Sequence, residues 1–259
     1  MDNRLARVPA LLVLAGALAA GAGAWAADDD EPATVPAKEE VQSSPEEFLA
    51  LVRSPFQDEA WGRFSGQVVH VQADGKEKAA IALAIVFGAE STKVRVVLNE
   101  QNTYGIEQVH GAGGPGRIIL KMPEPEQKPG LSDLGLQPDD ITMAFIYWDF
   151  IRELPTESLR QQPCRVMDLQ QPENKGYARV WFSRDYGFPL RVHWFRPDEE
   201  KPWRKLEFKG FKKHADGVWF MKTAQLSGDT WKTLVDFADA ELHRPSEKPV
   251  PPDLFPAGQ

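Results

Sequence analysis

Residues Cys164–Phe195 read CRVMDLQQPENKGYARVWFSRDYGFPLRVHWF. Two turn signals, Pro-Glu-Asn-Lys-Gly and Asp-Tyr-Gly-Phe-Pro, divide this stretch into three strand-like runs. Side chains alternate across a strand, so Ala178, Val180 and Phe182 share one side, and Tyr177, Arg179 and Trp181 share the other. In the next run Leu190, Val192 and Trp194 oppose Arg191, His193 and Phe195. One face is apolar throughout and the other mixes rings with basic groups. Such a surface packs against a partner on one side, which predicts a sheet covered on its apolar face.

The pattern extends in both directions. Downstream, WRKLEFKGFKKH, GVWFMKTAQL and TWKTLVDFADAEL continue it, with turns at Asp-Glu-Glu-Lys-Pro, His-Ala-Asp-Gly and Ser-Gly-Asp. Leu206 and Phe208 oppose Lys205, Glu207 and Lys209; Trp219 and Met221 oppose Val218 and Phe220. In the last run Trp231, Thr233, Val235 and Phe237 oppose Lys232, Leu234 and Asp236. Upstream, GRFSGQVVHVQ, AAIALAIVFG, TKVRVVLN, TYGIEQVH and GRIILKMP read as successive hairpins, the first turning at Asp74-Gly75. Sequential hairpins predict an antiparallel meander, long enough to curl.

Two segments break this period. SSPEEFLALVRS begins with Ser44 as N-cap, Pro45 in the first helical position and Glu47 three residues after the cap, which predicts a helix over 45–53. PDDITMAFIYWDFIREL sets Ile141, Ala144, Phe145, Trp148 and Ile151 at helical spacing behind Pro138, Asp139 and Asp140. It predicts a helix over 138–151, apolar nearly all round. Its β-branched and aromatic content leaves a strand as the alternative. Residues 122–137 form a Pro- and Gly-bearing loop.

The chain of 259 residues opens with Arg4 and Arg7, an apolar run over 8–24, and Ala24-Trp25-Ala26. This layout predicts a cleavable signal peptide over 1–26, with a flexible acidic lead-in over 27–43 and one domain over 44–259. An exported location follows, with no cysteine near the cleavage point to carry a lipid anchor. The formal net charge of −8 argues against a nucleic-acid partner. Cys164 is the single cysteine, so no internal disulfide forms; it reads as a small buried hydrophobe or a reactive thiol.

No catalytic, metal or cofactor residue is predicted. The five histidines are scattered outside ligand spacing, and no Gly-x-Ser-x-Gly is present. GAGGPG at 111–116 matches a dinucleotide fingerprint letter by letter, but Pro115 interrupts it and a strand-like run follows where a helix is needed. Asp139-Asp140 reads as a helix start.

The rings have two readings. Either all of them fill a core, or Phe145, Trp148, Trp181, Trp194, Trp219, Trp231 and Phe237 line a cavity for an apolar guest.

From Ile141 to Phe255 the order and spacing of CRVMDLQQPENKGYARVWFSRDYGFPLRVHWF, KLEFKGFKKHADGVWFMKTAQL, TLVDF and the terminal PPDLF resemble the outer-membrane lipoprotein-sorting superfamily, the LolA/LolB/RseB-like proteins. The N-terminal half resembles it in layout. The resemblance implies a mainly β (α+β) fold in which a curved antiparallel sheet forms an incomplete β-barrel, closed by helices over an apolar cavity. It implies a periplasmic carrier that binds lipid or lipoprotein acyl chains without covalent chemistry. The alternative it offers is an RseB-like regulatory or scaffolding module with an envelope protein partner. The chain departs from the LolB-like receptors in lacking an acceptor cysteine for a lipid. The carriers hold their cover shut with an arginine on a strand, and Arg95 stands on a strand of that kind.

Overall fold

A computed structural model describes residues 43–53, 59–110, 116–213 and 219–255. The expected signal peptide, nearly all of the lead-in, and most of the GAGGPG loop lie outside the described residues.

The expected first helix is present as α1, Pro45–Arg53. Its start forms as the sequence reads: the Glu47 N–H donates to Ser44 Oγ at 3.1 Å, and the Ser44 N–H donates to Glu47 Oε2 at 2.9 Å. Phe48, Leu49 and Val52 are buried on its inner side.

Twelve strands follow among the described residues. They are β1 Ala60–Gln72, β2 Gly75–Phe87, β3 Ser91–Leu98, β4 Asn102–Val109, β5 Arg117–Lys121, β6 Asp149–Leu159, β7 Gln162–Gln170, β8 Tyr177–Ser183, β9 Pro189–Phe195, β10 Arg204–Lys213, β11 Trp219–Ser227 and β12 Trp231–His243. They form one antiparallel sheet in the order β5-β4-β3-β2-β1-β12-β11-β10-β9-β8-β7-β6. Two meanders, β1–β5 and β6–β12, are therefore joined by a single long-range pairing of β1 with β12, running from Trp61↔His243 to Gln72↔Trp231. A register shift at Ser65/Gly66 bends this seam. The ends of the order, β5 and β6, are not paired with each other, so the barrel is open.

The parity read from the sequence places the core. Ala178, Val180, Val192, Trp194, Leu206, Phe208, Ala224, Leu226, Val235 and Phe237 face inward with Phe64, Val68, Ile81, Val94, Val96, Leu98 and Ile106 from the first meander. A second, smaller cluster of Cys164, Val166 and Trp181 lies on the outer face of β7 and β8, packed by Leu154, Leu159 and Leu190. A third, Trp61, Ala84 and Leu254, is sealed by the C-terminal segment.

The helix expected over 138–151 is not one element. α2 spans only Pro138–Thr142; Met143 turns left-handed (φ 54°, ψ 40°), a short 3-10 turn covers Ala144–Tyr147, and Trp148 is already extended. From Asp149 the chain is β6, the edge strand beside β7. A run that is apolar on every side satisfies both periods, and packing decides between them. Here Arg53 of α1 captures the carbonyls of Ile146 and Trp148, each at 2.9 Å, which holds the chain in a turn where a helix would consume those acceptors.

Residues 122–148 thus connect the two free edges of the sheet by crossing its concave side. This crossing segment carries Leu131, Leu134, Leu136, Phe145, Ile146, Tyr147 and Trp148 into the core.

Candidate functional site

The site is the contact between the crossing segment and the inner face of the sheet. Arg204 opens β10 and points inward in line with Leu206 and Phe208. Its guanidinium meets α2: Nη1 donates to Asp140 Oδ1 at 2.6 Å and Nη2 to Asp140 Oδ2 at 2.5 Å. Nη2 also donates to the Gly135 carbonyl at 3.0 Å, and Nη1 to Gln137 Oε1 at 3.3 Å. Rings of Trp194 and Trp231 lie 5.1 and 5.9 Å from the guanidinium carbon. The pair is sealed from water, with side chains 3% and 5% exposed. Burial holds the Asp140 carboxyl above the usual carboxylate range, and the adjacent guanidinium offsets only part of that rise.

A second tie comes from β12. Thr233 Oγ1 donates to the Leu134 carbonyl at 2.7 Å. That hydroxyl has a single proton, so its 2.8 Å contact with His70 Nδ1 makes the imidazole the donor and fixes the proton on Nδ1. Gly135 sits between these groups with φ +67°, and a Cβ there would stand 3.0 Å from Thr233 Oγ1 and from Trp231. Near the first meander, Asn102 takes Gln127 N–H at 2.8 Å and Tyr104 donates to Glu126 at 2.5 Å. The crossing segment is therefore fastened by polar atoms at a few points over an apolar floor.

Under Ile141–Met143 lies a recess of about 60 Å³, walled by Phe64, Leu83, Ile85, Phe87, Phe188, Met221 and Phe237, with Thr92 its one sheet hydroxyl. At roughly 30 Å³ per water molecule in the liquid, this is room for a few methylenes. A separate groove of about 290 Å³ lies at the end of the second meander, between the β6–β7 turn and β10.

The sequence-predicted rings divide as follows. Phe145, Trp148, Trp194 and Phe237 join the inner core, with Phe145 edge-on to Trp194 at 5.9 Å. Trp231 packs against that core from its edge. Trp181 does not join them: it faces outward, and its indole N–H donates to Glu157 at 2.9 Å. Trp219 opens β11, and its side chain lies outside the described residues. Of the six whose side chains are described, Phe237 alone borders the recess.

Arg95 does not face the crossing segment. It pairs in register with Ala84 and Gly105 on the outer face, and its Nε is buried without a partner. Arg204 is the strand arginine that meets the crossing segment. Its signal was present in parity: a lone arginine two residues before Leu206 on an otherwise apolar face. Among the described residues no group of three metal-ligating side chains comes together, and no helix is long and apolar enough to cross a membrane.

No protein-family model matches the chain, and no curated protein matches it by sequence. Solved structures do match. A domain assigned to the outer membrane lipoprotein-sorting proteins, from Vibrio parahaemolyticus, superposes with a TM-score of 0.62 at 14% identity, covering 75% of this chain and 91% of its own. A DUF1329 family protein from Desulfovibrio piger gives 0.64 at 11% identity, covering 82% and 95%. A LolA superfamily protein from Nitrosomonas europaea gives 0.52 at 12% identity, covering 83% and 98%. The fold is that of the LolA-like open barrels.

Proposed function

We propose that this chain is an exported, periplasmic carrier of the lipoprotein-sorting kind, which admits an acyl chain between its curved sheet and the crossing segment. The observation that carries this reading is the Arg204–Asp140 tie: a buried polar fastening holds a segment across an apolar floor that already contains a recess. The fold shared with lipoprotein-sorting and LolA superfamily structures supports it.

The described form is closed. A recess of about 60 Å³ does not hold a long acyl chain, so loading requires the segment to lift. Breaking one partner of a buried ion pair costs about 3–5 kcal/mol. Burying a chain returns about 0.8 kcal/mol per methylene, so about a dozen methylenes outweigh the fastening. Phe145, Trp148, Trp194, Trp231 and Phe237 then supply apolar contact, and the chemistry is non-covalent.

A second reading, a regulatory or scaffolding module with a protein partner, is favoured by β6. This edge strand is exposed along most of its length, and Ile151 is 44% exposed. A free edge can accept a partner strand.

Mass spectrometry of lipids extracted from protein purified out of its native envelope separates the two. Stoichiometric acyl lipid supports the carrier. Lipid-free protein that co-purifies with one polypeptide at fixed ratio sinks the carrier reading in favour of the module.

A further inference from the structure

The groove at the end of the second meander and the recess under the crossing segment share one wall. Phe188 borders both. It follows Gly187, whose φ of +64° turns the β8–β9 connection inward against Val52 of α1. The Phe188 ring is buried and held edge-on by Phe208 at 5.1 Å and Phe211 at 5.7 Å. Phe188, in T-shaped contact with both other rings, is the partition between the two spaces.

The groove is built for an amphiphile. Its floor is apolar, from Leu159, Tyr186, Leu190 and Phe208, whereas its rim carries Arg160 and Arg191. Arg160 donates only to backbone carbonyls, those of Phe208 at 3.3 Å and Lys209 at 3.0 Å, so among the described residues no carboxylate pairs with it. Arg191 meets Glu207 through Nη2 at 3.2 Å and leaves its Nε buried without a partner. One carboxylate therefore stands against two guanidiniums, in a chain of net charge −8. That local imbalance favours a guest with a negative end.

We infer that this groove is a side portal, in which a single-chain amphiphile rests its anionic headgroup on Arg160 and Arg191 and passes its tail beyond Phe188 into the interior. The inference rests on the carrier reading for the interior, and adds to it a route and a headgroup class. Carboxylate and phosphate heads share the required chemistry; a cationic head does not. The portal lies at the barrel's end, away from the Arg204–Asp140 tie, so the first methylenes of a tail enter there before the crossing segment lifts to admit the rest.

The test is calorimetric titration of the full chain with dodecanoate, dodecyl phosphate and dodecyltrimethylammonium below their micelle concentrations. Three variants accompany the wild type: Arg160→Gln, Leu190→Trp, which fills the groove, and Ser158→Trp, which narrows its exposed rim should Leu190→Trp fail to fold. The expected result is saturable binding of one or both anionic probes, none of the cationic one, and about a tenfold loss in the variants. Binding of dodecanoate alone makes the head a carboxylate site; binding of both makes it a general anion site. Wild-type binding that the groove variants leave unchanged, or equal binding of all three heads, overturns the portal and leaves the interior reading intact. No saturable binding of any probe sinks the interior reading, and the portal with it.

Discussion

Asp140 on α2 and Arg204 on β10 meet through two parallel hydrogen bonds, 64 residues apart in sequence and almost wholly out of water. Asp140 also accepts the Gln137 N–H at 2.8 Å, so one carboxylate both starts its helix and fastens that helix to the sheet. Removing either partner strands the other charge. Asp140→Leu or Arg204→Met should each lower unfolding stability by about 3–5 kcal/mol, and the double variant Asp140→Leu/Arg204→Met by much less than their sum. Urea denaturation of the three proteins checks this; additive losses refute the coupling.

Thr233 is the relay of the second tie. Thr233→Val should cost about 1–3 kcal/mol, because the Leu134 carbonyl and the His70 Nδ1–H both lose a buried partner. Thr233→Ser keeps the hydroxyl and should recover most of the loss. Equal stability of the valine and serine variants in thermal melts argues that the hydroxyl is idle.

At Gly135 the backbone is left-handed and a side chain would press on Thr233 and Trp231. Gly135→Ala should cost about 1–2 kcal/mol from the backbone conformation alone, with more from the contact. Hydrogen exchange should rise across 131–142 ahead of the sheet. Uniform acceleration over the whole protein would contradict a local loosening.

His193 makes stability depend on pH. It stands edge-on to Trp181 on the outer face, and burial, with Arg191, Lys205 and Arg179 nearby, pushes its imidazole down to about 4. The folded protein binds fewer protons than the unfolded chain between about 4 and the ordinary 6.5. This contribution is complete above pH 6.5 and is lost as pH falls toward about 4. The urea midpoint should drop across that window in the wild type and drop less in His193→Gln; parallel profiles exclude the histidine as the cause.

The alternation of apolar and charged residues made most of the sheet legible, because one side of each strand is buried and the other is wet. The Ser44–Glu47 cap was legible because it is written within four residues. β6 was not. Its first half lies in an apolar run that fits either period, and Pro155, Thr156, Glu157 and Ser158 are exposed on both faces of the edge, so no alternation marks it. Trp181 shows the limit of counting rings, since its face follows from the parity of Arg179 and its size says nothing about direction. Arg204 could be placed on the inner face by the same parity, but its partner could not: Asp140 is brought to it by the path of the crossing segment, which no local pattern encodes.

The seam between β1 and β12 has a further consequence, for how the molecule is made. Trp61 pairs with Val86 of β2 on one side, but its partner on the other is His243, late in the sequence. Until that stretch has arrived, β1 presents a bare edge and the apolar sides of both halves stand open to water. Sealing of the interior must therefore come late and all at once, and until then the unjoined halves are prone to stick to one another.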